Sequence, residues 1–267
     1  MKLAFSTIAC PRWDFDEIFA TAVDFNFDGV EIRGISNEMY APAIKVFDKD
    51  NIDGTMDRLN KANLAISCLA SSACLAQHSD KGKSVEEAKA YIELAAKLNC
   101  AFVRVMPTGV PYKDGGDIEL CRKQYQELCR YGKEKNVVPI METNGMFADT
   151  AVLKKFMEDI DDQNKGVLWD INHPYRFNGE SVEQTMSNIG EYVKYVHIKD
   201  SAVENGVTAY KLLGYGDAPV KKAVEALKER GYDGFLSLEW VKRWHKDLEE
   251  PFIVIPNYAG YMRAIIK

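Results

Sequence analysis

The sequence lacks several features that would place it in other protein classes. No apolar run approaches the roughly 18 residues that a membrane-spanning helix requires, and the first apolar run is too short for a secretion signal. The six cysteines contain no Cys-x-x-Cys pair, so reduced thiols are expected. Lys and Arg number 34 against 40 Asp and Glu, and the net charge of −6 disfavours nucleic-acid binding. These features predict a cytoplasmic protein that binds neither membranes nor nucleic acid.

Short apolar runs alternate with longer amphipathic stretches along the whole chain, a pattern that predicts alternating strands and helices. The predicted strands are residues 3–7, 29–32, 64–69, 102–106, 137–141, 167–169, 193–198 and 235–238. The predicted helices are residues 15–26, 55–62, 85–98, 118–135, 151–160, 182–189, 220–229 and 258–266. Eight strand–helix periods without a Pro- or Ser-rich linker predict an α/β fold, a single (β/α)8 TIM barrel occupying residues 1–267 as one domain.

A doubly wound open sheet is the competing arrangement. Such a sheet ordinarily carries a glycine-rich phosphate loop after its first strand. The corresponding segment here, residues 7–11, reads Thr-Ile-Ala-Cys-Pro and contains no glycine. The closed barrel is therefore favoured.

Four predicted strands in the second half of the chain each end in a side chain that can bind a metal. These side chains are Glu142, Asp170, His197 and Glu239. The carboxyl ends of barrel strands meet on one face, so the four are expected to line one site. Three carboxylates and one imidazole suit one divalent ion, with Mn²⁺ favoured and Mg²⁺, Co²⁺ or Fe²⁺ as alternatives. Zn²⁺ also fits, although its sites more often contain further His or Cys ligands.

Several segments resemble a known family, the xylose isomerase-like barrels that include sugar phosphate isomerases and epimerases. The matching segments are Val30-Glu31-Ile32-Arg33, Met141-Glu142-Thr143-Asn144, Trp169-Asp170-Ile171-Asn172-His173-Pro174, His197-Ile198-Lys199-Asp200, Leu213-Gly214-Tyr215-Gly216-Asp217 and Leu238-Glu239-Trp240. The resemblance implies that Glu142, Asp170, His197 and Glu239 bind one metal ion, and that the two glutamates also move protons on opposite faces of the substrate. It further implies that His173 binds a substrate oxygen and that the protein forms a dimer or tetramer.

The predicted function is that of a divalent-metal-dependent isomerase or epimerase of a small ketose, a sugar phosphate or a related polyhydroxy keto compound. A carbon-bound proton beside a carbonyl is removable at neutral pH only if the developing enediolate is stabilised, which a metal ion can do. Two carboxylates on opposite faces can then invert a stereocentre, whereas one carboxylate working between adjacent carbons would interconvert aldose and ketose. The sequence does not fix the substrate, but it shows no phosphate-binding glycine loop or arginine cluster, which favours a non-phosphorylated one.

Two residues near the metal-binding motifs are predicted to contact the substrate, His173 and Lys199. Pro174 directly follows His173, so this segment is expected to be an extended loop rather than a helix. Because side chains alternate along a strand, Lys199 shares the side of His197. It either holds an anionic substrate group or pairs with a neighbouring carboxylate. Some members of the similar family carry an arginine a few residues beyond this histidine, and residues 201–204 here contain none.

Arg104 and Trp13 complete the predicted substrate contacts. Arg104 lies within a predicted strand, where a charge must be paired. A pair with Glu31 or Glu142 inside the barrel is favoured over a position at the mouth. A second group of side chains, at predicted loops, could close over a small polyol and exclude water. This aromatic group is Trp13, Trp240, Trp244 and Tyr215.

Other functions remain compatible with the same residues. Barrels similar to this one include a 3-dehydroshikimate dehydratase, in which proton abstraction beside a ketone is followed by loss of water. A non-catalytic sugar-binding subunit that retains the metal site is a further interpretation, although the presence of all four ligands favours an enzyme. An abasic-site endonuclease of the same barrel type needs many histidines for its zinc cluster. The four histidines and the acidic charge of this chain disfavour that activity.

Overall fold

The computed structural model describes residues 1–113 and 115–267. Within these ranges, eight parallel strands form the barrel: β1 (Lys2–Ser6), β2 (Gly29–Ile32), β3 (Ala65–Cys74), β4 (Phe102–Met106), β5 (Val138–Glu142), β6 (Gly166–Asp170), β7 (Val193–Ile198) and β10 (Phe235–Leu238). They close in the order β1-β10-β7-β6-β5-β4-β3-β2. The predicted (β/α)8 TIM barrel is therefore confirmed.

Helices surround the barrel and bury their apolar faces against it. The described helices are α1 (Phe15–Asp24), α2 (Ile52–Lys61), α3 (Lys83–Lys97), α4 (Ile118–Lys133), α5 (Thr150–Glu158), α6 (Asn172–Asn178), α7 (Val182–Ile189), α8 (Val220–Glu229) and α9 (Pro251–Ile265). The large apolar core lies between these helices and the outward-facing side chains of the strands, such as Trp169. In the described part of the chain, none of the helices combines the length and apolar character that crossing a membrane would require.

The interior of the barrel is divided along the strands into an apolar layer and a polar layer. Cys68, Ile140, Leu168 and Tyr195 are fully buried and form a separate apolar cluster. Glu142, Asp170 and His197 lie two residues beyond Ile140, Leu168 and Tyr195 on the same three strands, and they are also buried. Side chains two apart on a strand point to the same face, so the sequence places these charged groups directly above an apolar floor. The polar layer lies at the carboxyl ends of the strands.

A β-hairpin that is not among the predicted strands is inserted after β7. Its strands are β8 (Asp200–Glu204) and β9 (Val207–Lys211), which pair antiparallel. The two residues between them, Asn205 and Gly206, have positive φ values of 51° and 78°. Asn-Gly favours the hairpin turn that needs positive φ at both positions, so the local sequence accounts for this turn.

Two predictions about the helices are wrong. The segment after His173 is not an extended loop, because α6 runs from Asn172 to Asn178. Pro174 is compatible with that helix since it falls in the first turn, where a missing backbone N–H is tolerated. Helix α9 begins at Pro251 and not at residue 258. The helix contains Pro256 in its interior.

Candidate metal centre at the barrel mouth

His197 is held in one orientation by Glu31, which reaches it across the barrel. The Nε2 of His197 lies 2.8 Å from Glu31 Oε2, and both side chains are buried. In the neutral ring this hydrogen bond keeps the proton on Nε2 and leaves the lone pair on Nδ1. Among the described residues, Nδ1 has no hydrogen-bond partner. It faces the carboxylates of the polar layer instead.

Three carboxylates surround that nitrogen. The Nδ1 of His197 lies 3.4 Å from Glu239 Oε1, 3.7 Å from Glu142 Oε1 and 3.9 Å from Asp170 Oδ2. Burial favours the neutral ring, but the carboxylates of Glu31 and Glu239 raise the pKa of His197 well above its usual value. A divalent cation among these oxygens would supply the positive charge that the proton otherwise provides.

Three of the four predicted metal ligands form a compact group with His173; His197 is not part of that group, although its Nδ1 faces the same carboxylates. Glu142, Asp170, His173 and Glu239 each offer one ligand atom, and these atoms lie within 4.8 Å of one another in buried surroundings. The donor set of carboxylate oxygens and imidazole nitrogen suits several divalent ions. The residues present thus fit a metal ion.

His173 is positioned by the first turn of α6. Its Nδ1 lies 3.1 Å from the carbonyl oxygen of Thr143, to which it donates, and this leaves Nε2 as the acceptor. Burial lowers the pKa of His173, so the ring is neutral at neutral pH. His173 lines the cleft above the polar layer, where the sequence analysis places a substrate contact.

Lys199 is bound to two of the carboxylates. Its Nζ lies 2.6 Å from Asp170 Oδ2 and also contacts Glu239 Oε2. Burial favours the neutral amine, yet these carboxylates raise the pKa of Lys199 well above its usual value. Burial likewise raises the pKa of Glu239, but Lys199 and His197 together lower it to about 2. Of the two roles predicted for Lys199, pairing with a carboxylate is the one observed.

Arg104 forms the pair with Glu142 that the sequence analysis favours. Its Nη1 donates to Glu142 Oε2 at 2.8 Å, and its Nη2 donates to the carbonyl oxygen of Ser71 at 2.7 Å. Burial raises the pKa of Glu142, but the charge of Arg104 outweighs this effect and holds that pKa well below its usual range. Arg104 also lines the cleft, so the pairing does not remove it from the site.

A cleft of about 340 Å³ opens above the polar layer. Its outer wall includes Arg33, Tyr210 of β9 and Trp244. Trp244 is the one member of the predicted aromatic group found among the cleft-lining residues of the described chain. Trp13 packs against the main apolar core, and Trp240 is buried with its Nε1 donating to the carbonyl oxygen of Glu249. The fourth member, Tyr215, is 75% exposed.

Comparison with known proteins gives a family match over most of the chain. The sequence profile of the xylose isomerase-like TIM barrels matches residues 19–256. A curated relative, fructoselysine 3-epimerase of Shigella flexneri, is 20% identical over 277 residues, which cover 100% of this chain and 98% of that protein.

Solved structures share the fold over nearly the full chain. The IOLI protein with a bound zinc atom has a TM-score of 0.80 at 17% identity, covering 100% of this chain and 98% of its own. The probable 3-DHS dehydratase AsbF of Bacillus anthracis has a TM-score of 0.79 at 17% identity, covering 98% and 99%. D-Psicose 3-epimerase of Clostridium cellulolyticum H10, solved with D-tagatose, has a TM-score of 0.77 at 16% identity, covering 100% of both chains. At these identities the likeness establishes the fold.

Proposed function

Because this chain belongs to the xylose isomerase-like TIM barrel family, we propose that it is a divalent-metal-dependent epimerase or isomerase of a small ketose or a related polyhydroxy keto compound. The observation that carries this proposal is the group of three buried carboxylates facing Nδ1 of His197. The full-length relationship to a fructoselysine 3-epimerase supports a keto-sugar substrate.

Glu142, Asp170, His197 and Glu239 would hold the metal ion, for which we propose Mn²⁺. When bound, the ion supplies a Lewis acid that stabilises negative charge developing on the oxygens of the substrate. Nδ1 of His197 is the imidazole nitrogen best suited to this role, because it has no hydrogen-bond partner among the described residues. His173 is less suited, because its Nδ1 already donates to a backbone carbonyl and its Nε2 lies 3.1 Å from Lys199 Nζ.

The two glutamates would act as a proton-transfer pair. Glu142 ends β5 and Glu239 follows β10, and in the barrel β6 and β7 stand between them. Each has its Oε2 bound to a cation, Arg104 or Lys199, while its Oε1 faces the centre of the site. One carboxylate would remove a proton from the carbon beside the ketone, and the other would return a proton to the opposite face. That sequence inverts the stereocentre.

The remaining cleft residues would bind and enclose the substrate. The neutral His173 lines the cleft, and its Nε2 would exchange its contact with Lys199 Nζ for a substrate hydroxyl near the reacting carbons. The cleft of about 340 Å³ lies at the small end of the usual range for ligand pockets, which suits a compact sugar rather than an oligosaccharide. Tyr210 and Trp244 at its outer wall would limit the access of water to the reacting carbons.

Solvent exchange at carbon tests this proposal directly. The protein is stripped of metal, reloaded with Mn²⁺ and incubated in D₂O with a panel of ketoses, and the products are followed by NMR. We expect deuterium at the carbon beside the ketone together with a new epimer or aldose. Glu142→Gln and Glu239→Gln should each lower turnover by about 10²-fold or more. Glu191→Gln, an exposed control, should match the parent.

Two results would contradict the proposal. Metal-loaded parent protein that binds a ketose without any exchange across the panel would be a sugar-binding protein and not an epimerase. A product that gains ultraviolet absorbance, most informatively from 3-dehydroshikimate, would identify a dehydratase. Epimerisation changes optical rotation without creating such a chromophore.

A further inference from the structure

Arg33 is a buried guanidinium at the side of the cleft that the proposed chemistry does not use. It directly follows β2, and its backbone N–H donates to Thr7 Oγ1 at 2.8 Å, which fixes the start of its side chain. The side chain is 9% exposed and lines the same cleft as Glu142 and Glu239. Its Nη2 donates to Ser72 Oγ at 2.9 Å, and its guanidinium stands 5.8 Å from the ring of Trp244.

Among the described residues, Arg33 forms no salt bridge, although the charges of Glu87 and Glu239 lie near enough to act on it. Within residues 1–113 and 115–267, no carboxylate oxygen approaches its guanidinium to 4.0 Å, and the buried Nη1 has no hydrogen-bond partner. The other buried cations of the cleft differ, since Arg104 is paired with Glu142 and Lys199 with Asp170. A buried charge without a partner is costly, so a position of this kind is expected to receive an anion from elsewhere.

A second guanidinium, that of Arg104, lies near Arg33 in the cleft. Arg104 also lines the cleft, and its buried Nε is without a hydrogen-bond partner among the described residues. Burial and the nearby charge of Arg104 lower the pKa of Arg33 to about 10, so both side chains remain cationic at neutral pH. Two cations thus stand near each other with one unused donor each. An oxyanion in the cleft beside these two side chains would offset their charges and relieve the repulsion between them.

The position of Arg33 separates this anion site from the reacting centre. Strand β2 lies four places from β6 in the eight-stranded barrel, so Arg33 stands on the side opposite Asp170. A ligand whose ketone lies at the carboxylates can therefore extend across the mouth and present its far end to Arg33. The hydroxyl of Ser72 borders the cleft beside the guanidinium and adds a second polar contact.

We infer that the substrate carries a terminal anionic group, held by Arg33 and Ser72 on the side of the cleft opposite Asp170, with the charge of Arg104 nearby. The oxyanion chemistry is shared by a carboxylate and a phosphate monoester. This inference rests on the proposed function only for the reaction, because the anion site can be measured by binding alone. It narrows the substrate class from ketoses in general to acidic or phosphorylated keto sugars.

Three matched ligands test the inference: a ketohexose, its 6-phosphate, and the ketohexuronate in which carbon 6 is a carboxylate. Calorimetric titration of Mn²⁺-loaded parent protein should show at least one anionic ligand binding about tenfold or more tightly than the neutral ketose. The anionic ligand with the larger gain in affinity over the neutral ketose identifies the terminal group as a phosphate or a carboxylate. Arg33→Gln should bring the ratio of the dissociation constants close to one, and Arg33→Lys should restore part of it.

A merely structural role for Arg33 would give a different result, because Arg33→Gln would then weaken all three ligands alike and leave their ratio unchanged. That outcome, or equal binding of neutral and anionic ligands by the parent, would overturn the inference. Arg58→Gln, which removes an exposed arginine of α2, serves as the charge-matched control and should keep the parental ratio. Circular dichroism establishes that each variant is folded.

The binding assay also separates this inference from the proposed function. Tighter binding of an anionic ligand without any turnover would support the anion site and contradict the proposed epimerase activity. Epimerisation of a neutral ketose, together with a ratio of dissociation constants that Arg33→Gln does not change, would support the epimerase activity and contradict the anion site.

Discussion

Glu31 and His197 are 166 residues apart in sequence and hydrogen-bonded at 2.8 Å across the interior of the barrel. Glu31 has no position in the proposed ligand set, yet it decides which nitrogen of His197 faces the carboxylates. Partners of this kind orient a ligand and strengthen its donor character, and their loss ordinarily weakens metal binding by 10–100-fold.

The first prediction follows from that contact. Glu31→Gln should reduce the affinity for Mn²⁺ by about 10–100-fold while the protein keeps its fold, because the amide cannot match the carboxylate as an acceptor of the Nε2 proton. Calorimetric titration of the metal-free protein with Mn²⁺ measures the change. The matched control is Glu191→Gln, and an unchanged affinity in Glu31→Gln would show that Glu31 does not support the metal site.

Substitutions of the two histidines of the site should have different effects on metal binding and on turnover. His197→Ala removes a proposed ligand and should lower Mn²⁺ affinity by at least about 10²-fold, whereas His173→Ala should leave metal binding nearly intact and lower turnover. Metal content after dialysis and kcat for the same preparations give the two readouts. Loss of metal from His173→Ala with retention in His197→Ala would reverse the assignment.

Cysteine chemistry gives a prediction that is independent of the metal. Five of the six free cysteines are buried, and Cys74 at the cleft wall is partly exposed. A disulfide reagent at pH 8 should therefore modify one thiol in the native protein and the others only after denaturation. Burial raises the pKa of the Cys74 thiol, so the rate at which Cys74 reacts with the reagent should keep increasing as the pH is raised above 8.

Cys74→Ser is the control for that titration and should abolish the native reaction. A ligand that occupies the cleft should slow the modification of Cys74. Fast reaction of several thiols in the native protein would contradict the burial of the other five.

Glu180 should be a strong contributor to stability. It is 3% exposed and accepts hydrogen bonds from the backbone and hydroxyl of Thr150, from Asn178 and from Thr185. Glu180→Ala leaves buried donors without an acceptor, so the free energy of unfolding should fall by about 3 kcal/mol or more, at 1–3 kcal/mol for each unsatisfied group. Urea denaturation measures the loss. Glu191→Ala, on an exposed position, should change stability by less than about 0.5 kcal/mol, and a similarly small effect of Glu180→Ala would be contrary to expectation.

The barrel itself could be predicted because its strands are buried apolar runs between helices with regular apolar faces. The predicted strands at 29–32, 102–106, 193–198 and 235–238 and the helices at 182–189 and 220–229 have the bounds that the structure gives. The hairpin of β8 and β9 was also within reach, since Asn205-Gly206 between alternating residues is a strong hairpin signal. Helix α6 is not predicted because the residue before a proline favours extended backbone, whereas Pro174 lies in the first turn, where a proline is tolerated.

The proposed ligands could be predicted because each stands at the end of its own strand. The roles of Glu31 and Arg33 could not be predicted. The role of Glu31 depends on a partner far away in the chain, and that of Arg33 depends on the lack of a partner. Glu31 acquires its role from His197 on β7, and Arg33 is unusual only because no carboxylate oxygen of the described chain lies within 4.0 Å of its guanidinium. Trp13 shows the converse, since it packs against the main apolar core while Trp244, from the same predicted aromatic group, lines the cleft.

The β8–β9 hairpin is attached to the barrel rather than built into it. Within the described residues its strands pair only with each other, and its tip carries the exposed Val203 and Val207. Tyr210, nearer its base, lines the cleft. Changes in the hairpin can thus alter the wall that a ligand meets without breaking a hydrogen bond of any barrel strand. Evolution or protein engineering could exchange this segment as a module, giving new selectivity to an unaltered reaction centre.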